Sequence, residues 1–153
     1  MDMAMVTAMD TVTVMDTEKN KSLTIAVDFD GTIVEHAYPK IGRELPFAIE
    51  TLKQLARDGH VLILWTARSG ELLDEAIEYC NKRGLYFYAY NSNRPKGSLF
   101  ESRTGTSNKV IADIYIDDHN LGGLPSWDVI YEMISGIKFK SARKTFWKRL
   151  FGG

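Results

Sequence analysis

Asp28 and Asp30, separated by a single residue and followed by Gly31 and Thr32, are the residues best suited to chemistry in this chain. They stand directly after the apolar run Leu23 to Val27. An extended backbone points residues i and i+2 the same way, so the two carboxylates share a side. Carboxylates held close raise each other's pKa unless a cation stands between them. A donor set made only of oxygen suits a hard ion such as Mg²⁺. Gly31 permits a tight backbone excursion after the strand. Taken alone, the stretch equally fits an Asp-Gly turn whose carboxylates face water.

Two further apolar runs end in polar groups. Val61 to Trp65 leads into Thr66-Ala67-Arg68, and Val110 to Ile116 leads into Asp117-Asp118-His119-Asn120. Lys109 stands where the chain enters the second of these runs, placed to neutralise an acidic cluster or to hold an anion. Each residue has a plainer reading as well: Thr66 as a helix cap, Lys109 as a solvated surface charge. Two acidic pairs at the ends of separate strands make coincidence the weaker account.

The elements that must bring these groups together follow from hydrophobic spacing. The runs are apolar at nearly every position, as in strands covered on both faces of a parallel sheet. Ile33 to Leu45 reads as a loop or small hairpin. Pro46 opens a helix carrying Phe47, Ile49, Leu52, Leu55 and Ala56, and Gly59 ends it. A second helix starts at Ser69 or Gly70, buries Leu72, Leu73, Ala76, Ile77 and Cys80, and closes at Gly84. Leu85 to Tyr90 is a third strand, Asn91 to Asn108 a long loop, and Val110 to Ile116 the fourth strand. Ser126 caps a last helix near Trp127 to Ile134. The order β-α-β-α-β-loop-β-α predicts an α/β fold, a three-layer Rossmann-like parallel sheet with helices on both faces. The right-handed crossover rule narrows the topology, and the expected strand order is 3-2-1-4, with the first strand central. Ligands of such sheets bind at the carboxyl ends of the strands, where all the polar groups above converge.

The 153 residues, 44% apolar and 25% charged, suit one domain with its own core. The domain is expected over residues 21–136, between a loose extension at 1–20 and a basic aromatic segment at 137–153. The net charge of −1 gives no general affinity for nucleic acid, but it hides an asymmetry. The last segment holds six Lys or Arg and no acidic residue, so its +6 taken from the overall −1 leaves −7 on the rest. Phe139, Ala142, Phe146 and Leu150 recur at helical steps among those cations. Such a face packs on the domain or on a second copy, or else meets nucleic acid or an anionic membrane. The single cysteine, Cys80, excludes an internal disulfide and fits a reducing compartment. With no secretory pattern and no apolar run near ~20 residues, the expected location is the cytoplasm.

Taken together, the motifs Asp28-Phe29-Asp30-Gly31-Thr32, Thr66 at a strand end, Lys109, and Ile116-Asp117-Asp118 resemble the four motifs of the haloacid dehalogenase-like phosphohydrolases. They occur in that family's order over roughly Leu23 to Ser135. The resemblance implies a Mg²⁺-dependent phosphatase. Asp28 would be the nucleophile that forms an aspartyl-phosphate. Asp30 would be the general acid and then the base, with its backbone carbonyl on the metal. Thr66 and Lys109 would hold the phosphoryl group, and Asp117 and Asp118 would complete the metal site. Lys96 is the alternative lysine. Arg68 is placed for substrate or for the helix surface; His36, Tyr38 and His119 stand at the entrance or on the surface. Neither insertion is long enough for a large cap domain, which implies an open site. The substrate is then a phosphomonoester of unspecified class, with a nucleotide, a nucleic-acid end, or non-catalytic phosphate binding as alternatives.

Overall fold

The computed structural model describes residues 21–98 and 109–136. The expected extension at 1–20 and the basic segment at 137–153 lie outside the described residues, as do residues 99–108 of the expected Asn91–Asn108 loop. Four strands, β1 (Thr24–Val27), β2 (Val61–Leu64), β3 (Ala89–Tyr90) and β4 (Ile114–Ile116), alternate with helices α1 (Ala48–Arg57), α2 (Gly70–Asn81) and α3 (Trp127–Ser135). The sheet is wholly parallel and its order is β3-β2-β1-β4. This is the expected Rossmann-like arrangement with β1 at the centre.

The period of two along the strands divides the core. Ile25 and Val27 of β1, with Leu62 and Leu64 of β2, belong to the larger cluster, which takes in Leu52 and Leu55 of α1, Cys80 of α2 and Trp127 of α3. Ala26, Ile63 and Ala89 point the other way and pack with Val110, Trp65 and Tyr115. All three described helices contribute to the larger cluster. The opposite face is packed, among the described residues, by the chain that enters β4 and by the Trp65–Tyr115 ring pair.

Element ends depart from expectation where local geometry intervenes. Phe47 adopts the left-handed conformation as the N-cap of α1, so the helix begins at Ala48 rather than at Pro46. Ser126 stands at the N-cap of α3 as expected, but its hydroxyl bonds Asp128 and not a helix N–H. The Ile33–Leu45 insertion is a small hairpin: Glu35 N–H donates to Arg43 O at 2.7 Å and Leu45 N–H to Ile33 O at 2.9 Å. Its tip carries Tyr38 and a cis Tyr38–Pro39 bond. No helix among the described residues is long and apolar enough to cross a membrane.

Candidate active site

Register places the chemistry. Val27 pairs with Leu64 on one side and with Ile116 on the other. The next residue of each strand, Asp28, Trp65 and Asp117, therefore emerges side by side at the carboxyl edge. Asp28 N–H donates to Ile116 O at 2.9 Å and Trp65 N–H to Val27 O at 2.8 Å, extending the ladder up to that edge. An open cleft of about 580 Å³ lies above it, lined by Asp28, Asp30, His36, Tyr38, Trp65, Thr66, Ala67, Asp117 and His119.

The carboxylates of Asp28, Asp117 and Asp118 can each offer an oxygen within 4.8 Å of the others. Burial pushes the Asp28 carboxyl up to about 6; hydrogen bonds from Phe29 and Thr32 oppose the rise, and the charges of Asp117 and Asp118 add to it. A three-carboxylate cluster with one member driven toward protonation is an environment that a hard cation relieves. Its oxygen-only donor set fits Mg²⁺. Thr32, which is fully buried, ties the cluster together. Its Oγ1 lies 3.2 Å from Asp28 Oδ2 and 3.4 Å from Asp118 Oδ1, and accepts from Asp118 N–H at 3.1 Å. Trp127 of α3 donates to the Thr32 carbonyl at 3.0 Å, fixing the turn from behind.

Gly31 holds the left-handed backbone, with φ +83°. A β-carbon there would strike the His36 imidazole and the Asp118 carboxylate. The glycine thus lets the hairpin bring His36 Nε2 to 2.7 Å from Asp118 Oδ2. This hydrogen bond raises the His36 pKa above its ordinary value. Burial pushes the Asp118 carboxyl up, but the His36 bond and the nearby imidazoles outweigh it and hold that carboxyl below the usual range.

Asp30 lines the cleft but its carboxylate stands apart from the acidic cluster. Both of its oxygens accept from Arg68, from Nε and from Nη2, each at 2.7 Å. Arg68 also donates to the carbonyls of Pro39 at 3.0 Å and Lys40 at 2.8 Å, and its guanidinium lies 5.2 Å from the Phe29 ring centre and 5.3 Å from that of Tyr38. Arg68, expected at the substrate or on the helix surface, is not on the surface and is not among the residues that line the cleft. It is 1% exposed, clamped between the hairpin and Asp30.

Thr66 lines the cleft at the end of β2, and its Oγ1 accepts from Arg68 N–H at 3.2 Å. The Lys109 ammonium lies 5.3 Å from the Tyr115 ring centre, and Lys109 is not among the residues lining the cleft. Lys96 is exposed in the segment after β3. Asn91 is a residue that spacing alone did not single out. Its Oδ1 accepts from Thr66 N–H at 2.8 Å and its Nδ2 donates to Arg68 O at 3.3 Å, so it holds the Thr66–Arg68 turn. The signal was its place just past β3, at the same sheet edge as the aspartates.

The chain is 58% identical to a conserved protein encoded by a locus of Bacteroides thetaiotaomicron whose structure is solved. The match covers 77% of this chain and 93% of that one, with a TM-score of 0.69. The chain belongs to that protein's family. No family model and no curated protein matches it. Likeness at this level extends to the fold.

Proposed function

We propose that the chain is a Mg²⁺-dependent phosphatase of the haloacid dehalogenase-like type, acting on a phosphomonoester. One observation carries the reading: Asp28, Asp30, Thr66 and Asp117, from the ends of three adjacent parallel strands, line a single cleft in which three carboxylates lie within cation-sharing distance. Asp28, Asp117 and Asp118 would hold Mg²⁺, with the Asp30 carbonyl. The bound ion supplies positive charge against the phosphoryl oxygens and the nucleophile.

The chain's own residues do the rest. An Asp28 carboxylate oxygen attacks phosphorus in line with the departing ester oxygen, forming an aspartyl-phosphate. In this reading Asp30 takes up a proton from solvent when its pair with Arg68 opens, gives it to the leaving oxygen, then takes one from the water that attacks phosphorus and frees Asp28. Arg68 is the positioning residue that holds the Asp30 carboxylate at the cleft wall. The Thr66 hydroxyl hydrogen-bonds the phosphoryl group while it transfers. Lys109, which lies over the Tyr115 ring and does not line the cleft, is the lysine this reading would assign to that group.

The narrower reading, a nucleotide or nucleic-acid-end phosphatase, is favoured by the rings of Trp65, Tyr38, His36 and His119 around the cleft, which suit a planar base. Cytoplasmic work fits the single free thiol, Cys80, which is buried.

The test is phosphate release from nucleotides, sugar phosphates and 5′- or 3′-phosphorylated DNA ends, with and without Mg²⁺. Wild-type protein should turn over at least one class only with the ion. Asp28→Asn should cut turnover by more than about a thousandfold, roughly 4 kcal/mol of barrier, with metal-free melting no lower than that of wild type. Substantial turnover by Asp28→Asn would place the attack on another group. Phosphate-analogue binding without turnover would favour a non-catalytic module.

A further inference from the structure

The hairpin delivers to the acidic edge an imidazole whose ring nitrogens have no part in the phosphatase reading. His36 Nε2 lies 2.7 Å from Asp118 Oδ2, and His119 Nε2 lies 3.8 Å from the same oxygen. The three side chains can offer ligand atoms all within 4.8 Å of one another. Ligands about 2.0–2.2 Å from a tetrahedral zinc sit roughly 3.4 Å apart, so the two observed separations bracket what a shared ion requires. The donor set differs in kind from the neighbouring all-oxygen cluster. Imidazoles favour borderline ions such as Zn²⁺, whereas carboxylates alone favour Mg²⁺.

Two features show that the arrangement is built. Gly31 leaves open the space that a β-carbon would take from His36 and Asp118. Asp118 is oriented from both ends: Oδ2 faces the imidazoles, while Oδ1 faces Thr32 Oγ1, which also reaches Asp28. One carboxylate can therefore serve two ions. His36 and His119 are 59% and 80% exposed, which leaves the position reachable from solvent.

We propose that His36, Asp118 and His119 form a second cation site, for a borderline divalent ion such as Zn²⁺, at the mouth of the cleft and joined to the hard-ion cluster through Asp118. Three protein ligands leave a coordination position open toward the cleft for water or a substrate oxygen. This site does not depend on the phosphatase reading, because its test needs no turnover.

The competing imidazole and thiol donors are few. The third histidine, His60, is buried and its Nδ1 accepts from Leu23 N–H at 3.1 Å. The one cysteine, Cys80, is fully buried. The experiment is a Co²⁺ titration of the full chain held in excess Mg²⁺, read by visible absorption. Co²⁺ in a low-coordinate imidazole site absorbs far more strongly than the hexa-aquo ion. Wild-type protein should give intense bands that saturate at one ion per chain, survive Mg²⁺ and vanish on adding Zn²⁺. His36→Ala and His119→Ala should each weaken Co²⁺ binding at least about tenfold, or 1.4 kcal/mol, while keeping the Mg²⁺-induced rise in melting temperature that certifies an intact fold. Absence of intense bands in wild type, or bands unchanged in both variants, overturns the site.

Discussion

Arg68 is the residue whose surroundings say most about how the cleft is held. A buried guanidinium must satisfy its donors within the protein, and here it does so on Asp30 and on two hairpin carbonyls. Removing one partner of a buried ion pair leaves the other charge uncompensated. Arg68→Met should therefore destabilise the fold by roughly 3–5 kcal/mol, measured by urea denaturation. Arg68→Lys should recover only part of that, since a single ammonium cannot reach two carboxylate oxygens and two carbonyls in a plane. A urea midpoint for Arg68→Met equal to that of wild type would show the clamp to be energetically idle. None of this was legible in the sequence, because Arg68 and Asp30 are 38 residues apart and only the folded hairpin encloses them. The aspartates were legible because the strand that precedes them fixes where they emerge.

At the scale of elements, α2 presents Ala76 and Cys80 inward at the helical step of four. Burial pushes the Cys80 thiol up to about 12, against the opposing charge of Arg83. The thiolate is the reactive form, so it is scarce at any ordinary pH in the folded state. We expect Cys80 to resist an aromatic disulfide reagent at pH 8 in native protein and to react promptly in denaturant; fast native labelling would show that α2 opens readily. The helical period that buries Cys80 was legible, and so was a strand after it. Leu85, Phe87 and Ala89 are buried while Tyr86 and Tyr88 are exposed. What the pattern could not tell was that only Ala89–Tyr90 would count as strand. β3 is an edge, and Leu85 N–H is already taken by Cys80 O at the end of α2. The start of α1 was misplaced for a similar local reason, since a left-handed Phe47 is not encoded by helical periodicity. The strand order, by contrast, is narrowed by alternation and handedness, which are properties of the whole string of elements, and the order found is the expected one.

At the scale of the molecule, the −7 carried outside the basic segment is concentrated in part at one sheet edge. Asp28, Asp117 and Asp118 meet there, and the Asp28 carboxyl is raised chiefly by burial, with the charges of Asp117 and Asp118 adding to the rise. Folding assembles this cluster and unfolding disperses it, so an ion held by it binds the native state alone. Mass action then stabilises the fold by about 2.7 kcal/mol at a hundred times the dissociation constant. For a chain of this size that corresponds to a rise in melting temperature of about 5–10 °C. Mg²⁺ should produce that rise in wild type, and Asp117→Ala should remove most of it. The metal-free comparison separates binding from structure. The Asp117 carboxylate accepts one local hydrogen bond, from His119 N–H at 2.9 Å, and otherwise adds repulsion toward Asp28. Metal-free Asp117→Ala should thus melt close to metal-free wild type. Equal Mg²⁺ stabilisation of the two proteins would locate the ion away from Asp117. A large loss of metal-free stability in the variant would assign Asp117 to the scaffold instead of the ion.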